Sequence, residues 1–153
     1  MMIAKTVKEM QQEAADYLYR YKAAKAEVYD IEKRIERVRS EMMGVKGISY
    51  EDGDMPKAHN TERDLSDYIV RIDDLIHDWQ DAQNHALDVM REVSATINAV
   101  GNDQARRVLM LYYVDGRKYK EIQKIIPCSS NACFMWRRIG LMEVYKLKTG
   151  SKK

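Results

Sequence analysis

The chain has 153 residues, with 26 Lys/Arg against 24 Asp/Glu, 45% apolar and 33% charged residues, two prolines and seven glycines. That length fits one ordinary core or two small ones, and the composition excludes a disordered or low-complexity chain in favour of a strongly helical, soluble one. No apolar run approaches the ~20 residues a membrane span needs, and the opening MMIAKTVKEM has no secretion-signal core.

A net charge of +2 conceals an asymmetry. Residues 1–103 carry 14 Lys/Arg and 21 Asp/Glu, whereas residues 104–153 carry 12 and 3. An acidic body joined to a basic C-terminal third is a signature of nucleic-acid binding, with a solvated, partnerless charge distribution as the alternative. Cys128 and Cys133 lie five apart with no histidine nearby, so a metal site would lack ligands. Small core positions and a reducing, cytoplasmic setting are expected.

From Ile3 to Met42 apolar residues alternate at three and four: Ile3, Val7, Met10, Ala14, Tyr17, Tyr21, Ala24, Val28, Ile31, Ile35, Val38 and Met42. This period of 3.5 marks a coiled-coil seam on one helix of about 60 Å, which needs a partner along its whole length. Leu65, Tyr68, Ile72, Leu75, Trp79, Ala82, Ala86, Val89, Val93, Thr96 and Val100 repeat the pattern. Ile69, Ile76, Met90 and Ile97 widen that stripe. Thr61 with Asp64 and Glu62 is expected to cap this helix, and Gly101 to close it. Between the helices, residues 44–60 (GVKGISYEDGDMPKAHN) read as a long loop, for which functional and disordered readings are both open. The two helices predict an antiparallel hairpin over residues 1–101. Its surplus apolar surface and β-branched core positions predict pairing into a four-helix bundle, hence a homodimer.

Residues 102–153 read as three short helices. Asp103 is expected to cap the first, which offers Val108, Leu109, Leu111, Tyr112 and Tyr113. Asp115-Gly116 forms a turn. The second starts near Lys118 with Ile122, Ile125 and Ile126 inward, and Pro127 stops it. Ser129 caps the third, which runs to Leu147 with Cys133, Trp136, Gly140 and Val144 on one face. Short polar side chains and arginines on the first turns of such a helix suit base edges in a major groove. The expected DNA contacts are Ser129, Ser130, Asn131, Phe134, Arg137 and Arg138, with Arg117, Lys118, Lys120 and Lys124 on phosphates. A small protein-binding module with a basic face is the competing reading.

Leu111-Tyr112-Tyr113-Val114, Gly116, Tyr119, Glu121-Ile122, Ile126, Ser129, Cys133 and Leu141 resemble region four of bacterial sigma factors. The layout of hairpin, irregular loop, acidic helix and basic domain resembles the ArpU/RinA-type late transcription regulators of phages of Gram-positive hosts. Two residues depart from that pattern: Pro127 replaces the usual glycine or asparagine of the turn, and Lys118 a capping Ser or Thr. The resemblance implies an all-α phage or prophage regulator in a bacterial cytoplasm, with double-stranded DNA as partner and RNA polymerase as a further one.

His77, Asp81, His85 and Asp88 recur at helical spacing among other aspartates and read as a solvated acidic face rather than a metal site. Tyr17, Tyr19, Tyr21 and Tyr29 read as packing rather than base-stacking residues. No nucleophile, glycine-rich loop or buried carboxylate pair argues for catalysis, so no enzyme, cofactor or metal is expected. Two rival functions are a polymerase- or sigma-binding module without DNA readout, and a phage terminase small subunit.

Overall fold

The computed structural model describes the backbone of residues 4–51 and 58–150 and the side chains of residues 4–44 and 64–150. Those residues are all-α, with no strand among them. The elements are α1 (Val7–Glu51), α2 (Ala58–Asn98), α3 (Asp103–Leu109) running into a π-helical turn (Met110–Val114), α4 (Tyr119–Ile125) and α5 (Ser130–Gly150).

Helix α1 starts at a reciprocal capping box. The Glu9 amide donates to Thr6 Oγ1 and the Thr6 amide to Glu9 Oε1, each at 3.1 Å. It then runs beyond the expected stop at Gly44, and α2 begins at Ala58, ahead of Thr61. The expected loop over 44–60 is therefore helical at 44–51 and 58–60, while 52–57 lie outside the described residues, as do Ile3 and the Thr61 and Glu62 side chains of the expected cap. A glycine costs a helix only about 1 kcal/mol, against about 3 for proline, so Gly44 and Gly47 weaken α1 without ending it. Contacts divide the chain into two compact units, Met1–Ala24 with Ala86–Lys153, and Lys25–His85.

In the 25–85 unit, Ile31, Ile35 and Ala82 form a core with Val28, Leu75, Ile76 and Trp79 against it. The Trp79 indole N–H donates to Glu32 at 3.0 Å, and Arg71 faces Glu41 at 3.8 Å. Residue numbers rise on one helix as they fall on the other, so the pair is antiparallel. Seam residues Ile31, Ile35 and Val38 are buried as the spacing predicts. Met43 (61% exposed), Ile69 (60%) and Val70 (57%) are not covered.

The other unit holds the larger core: Ala14, Leu18, Val89, Val93, Ile97, Val100, Ala105, Leu109, Tyr113, Leu141 and Val144. The start of α1 and the end of α2 are again antiparallel, with Tyr17 Oη 3.2 Å from Thr96 Oγ1 and Arg20 donating to Glu92 at 3.0 Å. Leu18, outside the predicted seam, is fully buried, whereas Val7 within it is exposed. The capping residue of α3 is Asn102, whose Oδ1 accepts from the Ala105 amide at 3.0 Å; Asp103 pairs with Arg106 instead, at 2.6 Å. Gly101 is not a left-handed helix stop, since Gly116 alone has positive φ among the described glycines. Its amide donates to Glu143 of α5 at 3.2 Å.

Helix α3 lies on α5 at Gly140. A Cβ there would meet Leu109 Cδ1 at 2.7 Å and Cγ at 2.9 Å, and Leu109 is fully buried, so it cannot step aside freely. Among the described residues nothing lies within 4 Å of a Cβ built on Gly44 of α1. One substitution should thus have opposite signs at the two sites. Gly140→Ala is expected to destabilise by about 1–3 kcal/mol through overpacking, and Gly44→Ala to stabilise by up to about 1 kcal/mol through helix propensity. Urea midpoints measure both, and a Gly140→Ala midpoint at or above wild type would contradict the packing.

Candidate nucleic-acid interface

Helix α3 ends by widening. The Asp115 amide donates to the Met110 carbonyl at 3.0 Å and the Arg117 amide to the Leu111 carbonyl at 2.8 Å. Gly116, at φ 71, turns the chain in the left-handed region. Lys118 precedes α4, and a lysine has no oxygen with which to cap it. Glu121 supplies the missing half: its Oε1 accepts from the Lys118 amide at 3.0 Å, with Arg117 on its other oxygen at 3.3 Å. That backbone bond, aided by Arg117, holds the Glu121 carboxyl below its ordinary 4.5. Because folding lowers this pKa, the stabilisation from the cap is fully present above the ordinary carboxylate value and is lost as pH falls from there through the lowered folded-state value.

Ile122 and Ile126 are buried with Val108 and Cys133, but Ile125, expected inward, is exposed. Ile126 takes the extended conformation (φ −113, ψ 98) imposed before Pro127. Ser129 caps α5, its Oγ accepting from the Ala132 amide at 3.1 Å. Across the turn Gln123 Nε2 donates to Ser130 Oγ at 3.1 Å, linking α4 to α5.

At about 100° per residue, Ser130, Asn131, Phe134, Met135 and Arg138 fall in one arc of α5, and all are exposed. Cys133, Gly140 and Val144 occupy another arc and are buried, and Leu141, two turns beyond Phe134 on nearly the same angular position, is buried as well. Arg137 lies between Val144 and Leu141 on the circumference, so it turns inward and only part of it is accessible. Its Nε and NH2 donate to the Tyr113 hydroxyl at 3.1 and 2.7 Å, and the guanidinium sits 5.3 Å from the Tyr112 ring centroid. Tyr112 stacks on Tyr119 at 5.0 Å, and Tyr119 meets Phe134 at 4.5 Å. Burial pushes the Tyr113 hydroxyl above its usual pKa, against the pull of Arg137.

Of the residues expected to meet DNA, Arg117, Lys118, Lys120, Lys124, Ser129, Ser130, Asn131, Phe134 and Arg138 are exposed. Arg137 departs from the expectation, because the aromatic cluster already holds its charge. Ser129 has its hydroxyl engaged in the cap. Met135 and Gln123 were not anticipated; Met135 shares a face with Asn131 and Arg138 at helical spacing, a signal present in the sequence. His77, Asp81, His85 and Asp88 are all exposed, with His77 Nδ1 2.9 Å from the Asp73 carbonyl oxygen. Tyr17 and Tyr21 pack against the core, while Tyr19 and Tyr29 are exposed. Among the described residues no group of three or more His, Cys, Asp or Glu is placed to hold a metal ion, and no helix is long and apolar enough to cross a membrane.

Comparison with known proteins returns no matching family model, no matching curated protein and no matching solved structure.

Arg137 and Arg138 should therefore separate in a stability assay. Tyr113→Phe leaves the part-buried Arg137 without its acceptor and is expected to cost about 1–3 kcal/mol, whereas Arg138→Ala should stay within about 0.5 kcal/mol of wild type. Equal effects in urea denaturation would contradict this division.

Proposed function

We propose that this chain is a sequence-specific, double-stranded-DNA-binding transcription regulator of phage or prophage type, working as a homodimer in a bacterial cytoplasm. In this reading residues 1–101 are an oligomerising helical hairpin and residues 102–153 a sigma-region-four-like helix-turn-helix, in which α5 enters the major groove. It is a binding protein, with no reaction assigned to it. The observation that carries the proposal is the exposed arc of α5, where Ser130, Asn131 and Arg138 stand together directly after the exposed cations Arg117, Lys118, Lys120 and Lys124 of α4 and its approach. Asn131 suits a bidentate contact to adenine, Arg138 suits guanine or a phosphate, and Phe134 suits a thymine methyl. The lysines would supply salt-dependent affinity.

Phe134 and Met135, 40% and 42% exposed on the same arc, favour a second reading in which α5 docks a protein such as RNA polymerase or a sigma factor. Selection of bound DNA from a random pool separates the two. On the first reading Arg138→Ala weakens the selected site by about 1–3 kcal/mol, while Lys120→Ala and Lys124→Ala weaken all sequences alike and each lower the salt slope by about 1. Recovery of no enriched sequence, together with capture of purified polymerase, would transfer the arc to the second.

The dimer is supported by the uncovered Met43, Ile69 and Val70. Sedimentation of the full chain at micromolar concentration should give a dimer, and Ile69→Glu with Val70→Glu should dissociate it. A monomeric wild type would remove the homodimer.

A further inference from the structure

Two sulfurs close the entrance to α5. With Ser129 as its cap, Cys128 is the residue before the cap and Cys133 the fourth residue of the helix. These are the positions joined by a hydrophobic staple, in which apolar side chains fix the angle at which the chain enters a helix. Here the staple consists of two free thiols with their Sγ atoms 2.9 Å apart. The S–S bond of a disulfide is about 2.05 Å, so closing the pair requires less than an ångström of movement. Cys133 is fully buried beside Val108, Ile122 and Ile126; Cys128 is partly accessible. Among the described residues no third ligand stands by to make the pair a metal site.

We propose that Cys128 and Cys133 are a reversible dithiol–disulfide couple, oxidised by a low-molecular-weight disulfide of the glutathione class. This does not depend on the DNA-binding reading. Burial pushes the Cys133 thiol up to about 11, which leaves the accessible Cys128 as the thiol that attacks first. Its thiolate breaks the S–S bond of the oxidant and forms a mixed disulfide. The first small-molecule thiolate leaves and takes up the proton that Cys128 released. Cys133 then attacks the Cys128 sulfur, the Cys128–Cys133 bond forms, and the second small-molecule thiol departs with the Cys133 proton. The protein loses two electrons, and one disulfide is reduced to two thiols. The product is a covalent staple at the junction of α4 and α5, where the neutral one relies on packing.

The test is intact-mass analysis of the full chain equilibrated in graded mixtures of reduced and oxidised glutathione, quenched with acid and alkylated in denaturant. Both thiols should disappear together, the mass falling by two hydrogens with no retained glutathione, and dithiothreitol should reverse the change. Half-oxidation should need about tenfold less oxidised glutathione in buffer than in urea, because the fold brings the thiols together. Cys133→Ala should trap glutathione on Cys128. A wild type that resists oxidation, stops as a stable glutathione adduct, or oxidises no more readily folded than in urea would overturn the proposal; these wild-type readouts hold even if the variant fails to fold.

Discussion

Helix α3 can rest on α5 only because residue 140 has no side chain. Leu109 and Ala105 fill the space a Cβ would take, and both are inaccessible to solvent. This contact fixes the rotation of α5 about its own axis, since Cys133 and Val144, on the same arc as Gly140, are then committed to the interior. The arc carrying Ser130, Asn131, Phe134, Met135 and Arg138 is what remains. Polar ties secure the helix along its length: the Ser129 cap and the Gln123–Ser130 bond at its start, and the Glu143–Gly101 bond farther along. Rotation of α5 by even one position would expose Val144 or Leu141, each worth roughly 1.5–3 kcal/mol of burial, so the outward face is set by the inward one.

Charge is divided between two uses. Arg137 is partly desolvated, and its positive charge is met by a tyrosine hydroxyl and ring faces instead of a carboxylate. Lys118, Lys120, Lys124 and Arg138 make no ion pair among the described residues. Exposed pairs elsewhere, such as Lys33–Glu36 and Arg91–Asp88, are screened by solvent and contribute little. Apolar burial therefore holds the fold, and Lys118, Lys120, Lys124 and Arg138 are left to meet an external anion, whereas Arg117 is shared with Glu121.

Helix number and type were legible because periodicity is a long-range average: the two 3.5-residue seams survive individual exceptions such as Val7. Ser129 as a cap and the stop at Pro127 were legible because each follows from one backbone requirement. Boundaries set by glycine were not, since the penalty at Gly44 and Gly47 is small against the propensity of the residues around them. The cap at Asn102 was missed by one place, Asn and Asp being near-equal in that role. Arg137 was misplaced because an arginine beside another arginine reads as surface; its position between Val144 and Leu141 on the helix circumference carried the contrary signal. The Tyr113 hydroxyl that receives it is 24 residues away, a pairing no local pattern encodes. The core shared by Leu18, Val93, Leu109 and Val144 escaped for the same reason, as the charge split near residue 103 invites a cut through the middle of it.

That shared core bears on the order of events during synthesis. Ala14 and Leu18 leave the ribosome more than a hundred residues before Leu141 and Val144, which belong to the same cluster. The cluster has high contact order, and its closure entropy is met only once the chain has been made as far as Val144. Lys25–His85, by contrast, is contiguous in sequence and can condense while translation continues. The first turns of α1 must wait with apolar side chains exposed, which leaves that segment dependent on protection from aggregation until α5 is made.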